Sequence, residues 1–348
     1  MVEGISLEEL QLAARNHGMP LEALRYPVTP AGLHYLLIHY DVPDVDAAVW
    51  GLRIRGEREL SLGLDELKRR PGFELPVTME CAGNGRARLD PRPVSQPWLS
   101  EAVGTAVWGG TPLRPLLEEA GVGEGAVEVL FTGLDRGIED EEQSFQRSLP
   151  IEEALRDEAL LAYEMNGSPL PPQHGFPLRL VVPGWYGMTN VKWLAEIEVL
   201  YERFGGYQNL ASYRLRQAED EEGEPLSRML PRSLLVPPGI PEFFTRARTV
   251  PAGEVQLEGR AWSGHGPIES VEVSTDGGET WAAAELEPEQ GRWAWRGWRF
   301  RWDAEPGEYQ VCSRARDEAG NEQPLEPLWN LGGYANNAVH RVPVTVSG

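Results

Sequence analysis

The stretch TMECAGNGRARLD, residues 78–90, places one of the chain's two cysteines directly ahead of a run of small residues and two arginines. A strand-like segment, PVTME (76–80), leads into Cys81, and AGNG (82–85) follows it. Glycine allows the backbone to turn sharply and to approach a ligand closely. We therefore expect an extended segment to break into a tight turn at Cys81. On this pattern alone, Cys81 is either a ligand or nucleophile, or a structural thiol.

The segments around this turn predict an α+β domain that ends near residue 215, with a helical lead-in over 1–32. Ser6 and Glu9 form a capping-box pattern at the start of a helix. Apolar or alternating runs predict strands at AAVWGLRIRG (47–56), AVEVLFTGLD (126–135) and FPLRLVVPG (176–184). Helical patterns follow at SLGLDELKRR (61–70), TPLRPLLEEAG (111–121) and LPIEEALRDEALLAYEMNG (149–167).

The remaining residues, 216–348, predict a second domain of a different kind. An acidic stretch, RQAEDEEGEPLSR (216–228), and a proline-rich one, LPRSLLVPPGIPEFF (230–244), separate it from the first. From about residue 250 short alternating runs are separated by turns, including one at Asp276-Gly277-Gly278. This spacing is typical of an immunoglobulin-like β-sandwich, with its tryptophans in the core.

Composition limits the partners of the chain. Its 348 residues, 41% of them hydrophobic, suffice for about two domains, and its formal net charge of −22 argues against binding to nucleic acid or to an anionic membrane. No run approaches the roughly 18 to 20 apolar residues of a membrane span, and the N-terminus lacks the pattern of a signal peptide. We expect a cytoplasmic protein, or a periplasmic one if a leader has been removed. Cys81 and Cys312 do not form a disulfide framework.

Several long motifs, in order along the chain, resemble the sulfite oxidase family of molybdenum enzymes. They are MECAGNGR (79–86), LLAYEMNGSPLPPQHGFPLRLVVPGWYGMTNVKWL (160–194), AWSGHG (261–266), VSTDGGETW (273–281) and WNLGGYANNAVHRV (329–342). The resemblance implies a molybdenum–molybdopterin cofactor in the first domain and oxygen-atom transfer as the reaction. It also implies that the β-sandwich forms a homodimer interface.

The resemblance also implies roles for individual residues. Cys81 would be the molybdenum ligand, since a thiolate is a soft, charged donor. Arg86 and Tyr213 would act on the substrate side, with Tyr207 as the alternative tyrosine. His174, Arg179 and Lys192 would hold the cofactor's phosphate, and Lys192 is one of only two lysines in the chain. The remaining cofactor contacts implied are Tyr35, His39, Asp135, Thr189, Asn190 and Val191, whereas His34 is as well explained as a buried histidine with satisfied hydrogen bonds.

Two departures from the family pattern concern the substrate. The family has an arginine two residues before the histidine of its first motif, where this chain has Leu37. A second arginine is expected shortly after AWSG, where this chain has His265, Gly266 and Pro267. Each guanidinium contact to an anion is worth about 1.5–3 kcal/mol before desolvation. These departures predict weak binding of sulfite.

Three functions remain open at this point. The first is a molybdenum-dependent oxidoreductase that resembles sulfite oxidase and acts on a small oxyanion. The second keeps the cofactor but reduces an S-oxide or N-oxide, because the apolar Leu37 suits a neutral substrate. The third is a cofactor-holding protein without turnover. Because the sequence contains no recognisable haem or second redox domain, either enzyme would need a separate electron acceptor or donor.

Overall fold

The computed structural model describes residues 4–137 and 144–348; the first three residues of the predicted lead-in lie outside this range. The helices in the described residues are α1 (Leu7–Arg15), α2 (Leu64–Lys68), α3 (Leu113–Ala120), α4 (Ile151–Ala154) and α5 (Tyr207–Leu210). The strands up to residue 225 are β1 (Gly51–Arg55), β2 (Glu59–Gly63), β3 (Phe73–Glu80), β4 (Val103–Pro112), β5 (Glu128–Arg136), β6 (Ser144–Pro150), β7 (Leu160–Met165), β8 (Ser168–Pro169), β9 (Arg179–Val181), β10 (Leu194–Leu200), β11 (Arg214–Leu215) and β12 (Glu224–Pro225).

Two five-stranded sheets form most of the first domain in the described residues, and β11 and β12 pair separately. One has the strand order β2-β1-β10-β5-β6, and the other has the order β3-β4-β7-β8 with β9 paired to β7. β1 and β10 run parallel, and the other pairs in these sheets are antiparallel. α3 buries Leu113, Leu116 and Leu117, which recur at helical spacing, in the same core as β1 and β5. The α+β prediction is confirmed, with sheet as the dominant component.

The second domain is a β-sandwich, as predicted. Its strands are β13 (Arg232–Leu235), β14 (Ile240–Pro241), β15 (Arg248–Pro251), β16 (Gly253–Trp262), β17 (Ile268–Ser274), β18 (Ala282–Ala283), β19 (Glu285–Leu286), β20 (Arg296–Ala304), β21 (Gly307–Asp317) and β22 (Val342–Ser347). They form two sheets, β13-β16-β20-β19 and β14-β15-β22-β21-β17-β18. Alternate residues such as Val342, Val344 and Val346 enter the shared core together with Trp298 and Trp302. The boundary near residue 215 stays a prediction.

One predicted helix is wrong over most of its length. The stretch 149–167 contains only the short helix α4, and Leu160–Met165 forms the strand β7. β7 pairs with β4 on one side and with β8 and β9 on the other, and Leu160, Leu161 and Ala162 are fully buried. A short apolar run buried in the middle of a sheet has no strict alternation, so periodicity cannot distinguish it from a buried helix.

α1 begins as predicted. The Ser6 hydroxyl accepts from the Glu9 amide, and the Glu9 carboxylate accepts from the Ser6 amide at 2.9 Å. Among the described residues, no helix is long and apolar enough to cross a bilayer. After α1, the backbone of His17 pairs with that of Leu36 in an isolated antiparallel bridge.

Candidate cofactor and substrate site

The turn that follows β3 determines the position of Cys81. The Cys81 amide donates to the Ala102 carbonyl at 2.9 Å, and the Asn84 amide donates back to the Cys81 carbonyl at 2.9 Å. Gly85 has a φ of 92°, a conformation that favours glycine, and a Cβ there would lie 2.9 Å from the Asn336 amide nitrogen. The predicted break from strand to tight turn at Cys81 is therefore confirmed.

An inner cavity opens in front of Cys81. Residues from separate parts of the chain form its walls. They come from β3 and β9 of one sheet, from β5 of the other sheet, and from the segment 34–39. Thr189 does not line the cavity but is buried between two residues that do. The residues expected at the site that line this cavity are Tyr35, His39, Cys81, Asp135, His174, Arg179, Asn190, Val191, Lys192 and Tyr213.

Basic side chains form one group of the inner cavity's lining. Lys192 Nζ donates to the carbonyl oxygens of Leu37 at 2.9 Å and Gln173 at 3.2 Å. The Arg179 guanidinium donates to the carbonyl oxygens of His174 and Asn190, each at 3.1 Å. Within the described ranges, neither cation forms an ion pair with a carboxylate. Arg179 is buried and Lys192 is half-buried, and their hydrogen bonds go to carbonyl oxygens and, for Arg179, also to Met79 Sδ. Two such cations without a carboxylate partner form a site prepared for an anion.

Burial shifts the protonation equilibria of these groups toward neutral forms. It lowers the pKa of Lys192 to about 7, with a further contribution from the charge of Arg179, and it lowers the pKa of Arg179 to about 10. Burial also raises the pKa of Asp135 to about 7 and lowers that of His174. A bound anion would favour the charged form of Lys192 and would raise its pKa again.

Unpartnered polar atoms test whether the cavity suits a polar cofactor. Within residues 4–137 and 144–348, His34 Nε2, Arg179 Nε and Thr189 Oγ1 are buried without a hydrogen-bond partner. Such groups destabilise a fold unless a ligand satisfies them. Of the two ring nitrogens of His34, Nδ1 lies 3.1 Å from the Tyr35 carbonyl, and Nε2 is the one without a partner. The thiol, the cations and these unpartnered atoms together fit an anionic, polar group with a soft metal.

An outer cavity of about 320 Å³ adjoins the inner one. Cys81 lines both, so its thiol lies at their junction, and Arg86 lines the outer one. Burial raises the pKa of the Cys81 thiol, and the charge of Arg86 opposes this shift. Metal binding would remove the thiol proton. The other residues shared by the two cavities are Leu37, His39, Phe145 and Tyr213.

Arg86 and Tyr213 approach the junction from opposite parts of the chain. The Arg86 guanidinium lies 5.0 Å from the Tyr334 ring centre, and its Nε donates to the Gly332 carbonyl at 2.9 Å. Tyr213, at a φ of 51°, places its hydroxyl 2.6 Å from His39 Nε2. Tyr207, the alternative tyrosine, is exposed and lines only the outer cavity. The geometry therefore favours Tyr213 as the tyrosine nearest the thiol.

Sequence reasoning missed two residues near this junction. Tyr334 lines the outer cavity, and its ring centre lies 5.4 Å from that of Tyr213, with the two rings tilted by 37°. Tyr334 lies in the quoted motif 329–342, which was the available signal. Arg147 is buried with its guanidinium 5.6 Å from the Tyr213 ring, and no motif indicated it. The segment 265–267, expected on the substrate side, lines neither cavity. The expectation that this segment takes the place of the family's second arginine stays a prediction.

Comparison with known proteins agrees with this geometry. Residues 39–208 match the family described as oxidoreductase molybdopterin binding domain, and residues 232–347 match the Mo-co oxidoreductase dimerisation domain. The solved sulfane dehydrogenase SoxCD from Paracoccus pantotrophus aligns with a TM-score of 0.83 and 25% identity, over 99% of this chain and 93% of that one.

Curated relatives extend the comparison along the sequence. Mitochondrial sulfite oxidase of Homo sapiens is 37% identical over 92% of this chain and 62% of its own length, so the chain spans about three fifths of that relative. Sulfite oxidase of Gallus gallus is 37% identical over 90% of this chain and 72% of its own length. A nitrate reductase of Hordeum vulgare is 35% identical over 92% of this chain and 39% of its own length. The chain therefore belongs to the sulfite oxidase family of molybdopterin oxidoreductases.

Proposed function

We propose that this chain carries out oxygen-atom transfer on a small oxyanion or oxide with a molybdenum–molybdopterin cofactor. The observation that carries the proposal is the position of the Cys81 thiol at the junction of two cavities. The inner cavity is lined by Arg179 and Lys192, which have no carboxylate partner among the described residues and suit a phosphate. The outer cavity gives a substrate access to the thiol. When bound, the cofactor supplies two-electron redox chemistry at molybdenum. The electrons would pass to or from a separate partner.

In the inner cavity, the chain's own residues would bind and orient the cofactor. Arg179, Lys192 and His174 would hold the terminal phosphate, replacing carbonyl contacts with charge-assisted hydrogen bonds. His34, which lines this cavity, would gain at Nε2 the partner that it lacks among the described residues. Cys81 would release its proton and donate its thiolate to the metal. The backbone around Asn190 and Val191 would position the pterin.

On the substrate side, Arg86 would position an oxygen of the substrate and Tyr213 would donate a hydrogen bond. Burial lowers the pKa of His39 to about 3, with contributions from Lys192 and Arg15, so this histidine is neutral at physiological pH. Burial also raises the pKa of Tyr213 well above its ordinary value, so its hydroxyl keeps its proton. His39 can then accept from Tyr213 until a substrate oxygen replaces it.

The reductase alternative keeps the same cofactor and rests on Leu37. Its apolar side chain lines both cavities beside Cys81, where a guanidinium would favour a dianion. A neutral S-oxide or N-oxide loses less hydration on entering such a site. Relatives of this chain include nitrate reductases as well as sulfite oxidases, so the family supports either direction of oxygen transfer. Steady-state assays with sulfite and with a panel of oxides distinguish the two.

The thiolate ligand can be tested by X-ray absorption spectroscopy of cofactor-loaded protein. We expect three sulfur scatterers at molybdenum, two from the pterin and one from Cys81, and two in Cys81→Ser. Cys312→Ser is the matched control, since Cys312 is also buried but lies in β21 of the second domain. An unchanged sulfur count in Cys81→Ser would disprove the assignment.

Leu37 can be tested by sulfite kinetics. We expect sulfite to be oxidised with a high KM, and Leu37→Arg to lower that KM several-fold by adding a charge-assisted contact. Val49→Arg, at an exposed position, controls for the added charge. Cofactor content must be measured alongside, because a buried arginine without a partner destabilises its surroundings. Efficient oxidation of micromolar sulfite by the unmodified protein would contradict this expectation.

The β-sandwich would form a homodimer interface. The match of residues 232–347 to a dimerisation domain supports this assembly. Sedimentation velocity of the loaded protein would give twice the mass of one chain. A single-chain mass at micromolar concentration would exclude a stable dimer.

A further inference from the structure

The N-terminal helix α1 forms part of the outer cavity, although it lies before the family match that begins at residue 39. Leu12 and Arg15 of this helix line the cavity. Side-chain hydrogen bonds hold the end of the helix in place: Asn16 donates to Gln96 at 3.0 Å and accepts from the Ile38 amide at 2.7 Å. α1 is therefore a fixed wall of the outer cavity.

Arg15 is a cation at the solvent side of this cavity. It is exposed, and among the described residues it forms neither an ion pair nor a side-chain hydrogen bond. Burial and the charge of Lys192 lower the pKa of His39, and the charge of Arg15 lowers it further. The electrostatic field of Arg15 therefore reaches the interior of the site. No aspartate or glutamate is found among the described lining residues, although the whole chain has a net charge of −22. The cavity is thus a local positive region on an acidic protein.

The remaining walls combine apolar and aromatic surface with polar side chains, namely Ser95, Gln96, Gln208 and Ser212. Leu12, Leu37 and Phe145 contribute hydrocarbon surface, and Trp98 and Tyr334 contribute aromatic rings. An inorganic oxyanion is strongly hydrated and gains nothing from such walls. An anion with an attached apolar group gains from both features, because its charge meets Arg86 and Arg15 while its hydrocarbon part leaves water.

We propose that the outer cavity selects organosulfur anions that carry an apolar group, and that Arg15 is a specificity-determining residue for them. The proposal rests on the function proposed above and narrows its substrate class. The reaction would convert an organic sulfinate into a sulfonate. One sulfur–oxygen bond forms with an oxygen from water, both O–H bonds of the water break, and two protons are released. Sulfur loses two electrons, which pass singly to a separate one-electron acceptor.

Equilibrium binding tests this selectivity without turnover. Titration calorimetry on the cofactor-loaded protein would compare benzenesulfonate, a product-like anion, with sulfate. We expect benzenesulfonate to bind at least about ten-fold more tightly, because burial of its ring removes apolar surface from water. Equal affinities, or tighter binding of sulfate, would overturn the proposal.

Substitution of Arg15 tests its part in the selectivity. Arg15→Gln should weaken benzenesulfonate binding about three- to five-fold, as expected for loss of one exposed charge contact. Arg15→Lys should restore most of the affinity. Arg301→Gln is the matched control, since Arg301 is an exposed arginine in β20 of the second domain. Equal benzenesulfonate affinities of Arg15→Gln and Arg301→Gln would show that Arg15 does not determine the specificity.

Steady-state kinetics can distinguish a failure of the proposed substrate class from a failure of the proposed function on which it rests. With ferricyanide as acceptor, benzenesulfinate should be oxidised with a lower KM than sulfite, and Arg15→Gln should raise that KM. If sulfite is oxidised efficiently while benzenesulfinate is not, oxygen-atom transfer stands and the substrate class fails. If benzenesulfonate binds as expected but neither compound nor any oxide is turned over, the cavity's selectivity stands and the proposed reaction fails.

Discussion

Lys192 and Lys68 are the only lysines in the chain, and their environments differ completely. Lys68 is exposed at the end of α2, with its Nζ 5.6 Å from the Tyr163 ring centre. Lys192 donates to two carbonyl groups inside the inner cavity, and burial lowers its pKa to about 7. An arginine would remain charged in such a place, whereas a lysine can lose its proton when the site is empty.

The lowered pKa of Lys192 predicts pH-dependent anion binding. Below pH 7 the lysine of the cofactor-free protein is charged and attracts an anion; above pH 7 it becomes neutral and the attraction is lost. Binding therefore requires proton uptake above pH 7, and sulfate affinity should fall up to about ten-fold per pH unit. Titration calorimetry of cofactor-free protein with sulfate between pH 6 and 9 measures this slope. Sulfate is a suitable probe because it does not titrate in that range.

Two lysine variants complete this test. Lys192→Met should reduce the slope of the pH profile, leaving the part due to ionisation of Asp135, whose pKa is also raised to about 7. Lys192→Met and Arg179→Met should each lower the cofactor content of purified protein. Lys68→Met removes the other lysine and should leave both measurements unchanged. The same slope in Lys192→Met and in the unmodified protein would assign the titration to another group. Full cofactor content in both inner-cavity variants would show that the phosphate is held elsewhere.

At the level of elements, sequence patterns correctly predicted the features that depend on residues close together in the chain. The capping box of α1 and the turn after β3 depend on residues within a few positions, and both are confirmed. β7 depends on its pairing with β4, β8 and β9, which no short window reveals, so a helical pattern was favoured there. Tyr334 reaches Arg86 across almost 250 positions, and only the fold brings them together. The cofactor residues come from the family resemblance, because neither periodicity nor spacing indicates them, and their roles stay predictions.

The helix α1 offers a prediction at the level of one element. Ser6→Ala removes the hydroxyl that accepts from the Glu9 amide, and loss of such a cap costs about 1 kcal/mol. We expect amide hydrogen exchange in residues 7–15 to accelerate about five-fold, corresponding to that energy. Exchange in β13 should not change, and Ser6→Thr should retain most of the protection. Unchanged exchange in α1 would mean that its packing, and not its cap, limits opening.

At the level of the whole molecule, a buried charged cluster joins the two domains beside the site. Glu80, the residue before Cys81, accepts from Arg232 of β13 at 2.7 Å and from the Trp262 indole at 2.9 Å. Glu80 and Arg232 are each 2% exposed. Arg232 also donates to the Asn336 carbonyl at 2.9 Å, in the loop that reaches Arg86. The β-sandwich therefore supports the turn that holds the proposed metal ligand.

Substitution of Arg232 alone should destabilise the protein more than substitution of Glu80 and Arg232 together. Arg232→Met leaves a carboxylate buried without its cation, which should lower the free energy of unfolding by about 3–5 kcal/mol. The double variant Glu80→Gln/Arg232→Met should recover much of this loss, because glutamine is uncharged and its oxygen can still accept from Trp262. Denaturant unfolding of the two single variants and the double variant measures the coupling energy.

An exposed pair provides the control for that cycle. Arg301 lies 3.5 Å from Glu254, with the two side chains 73% and 66% exposed, so Arg301→Met should cost at most about 1 kcal/mol. Because Glu80 directly precedes Cys81, Arg232→Met should also reduce cofactor retention, which Arg301→Met should not. A small cost for Arg232→Met, similar to that of the control, would mean that water or a shifted side chain compensates Glu80. In that case the interface between the domains would not stabilise the Cys81 turn.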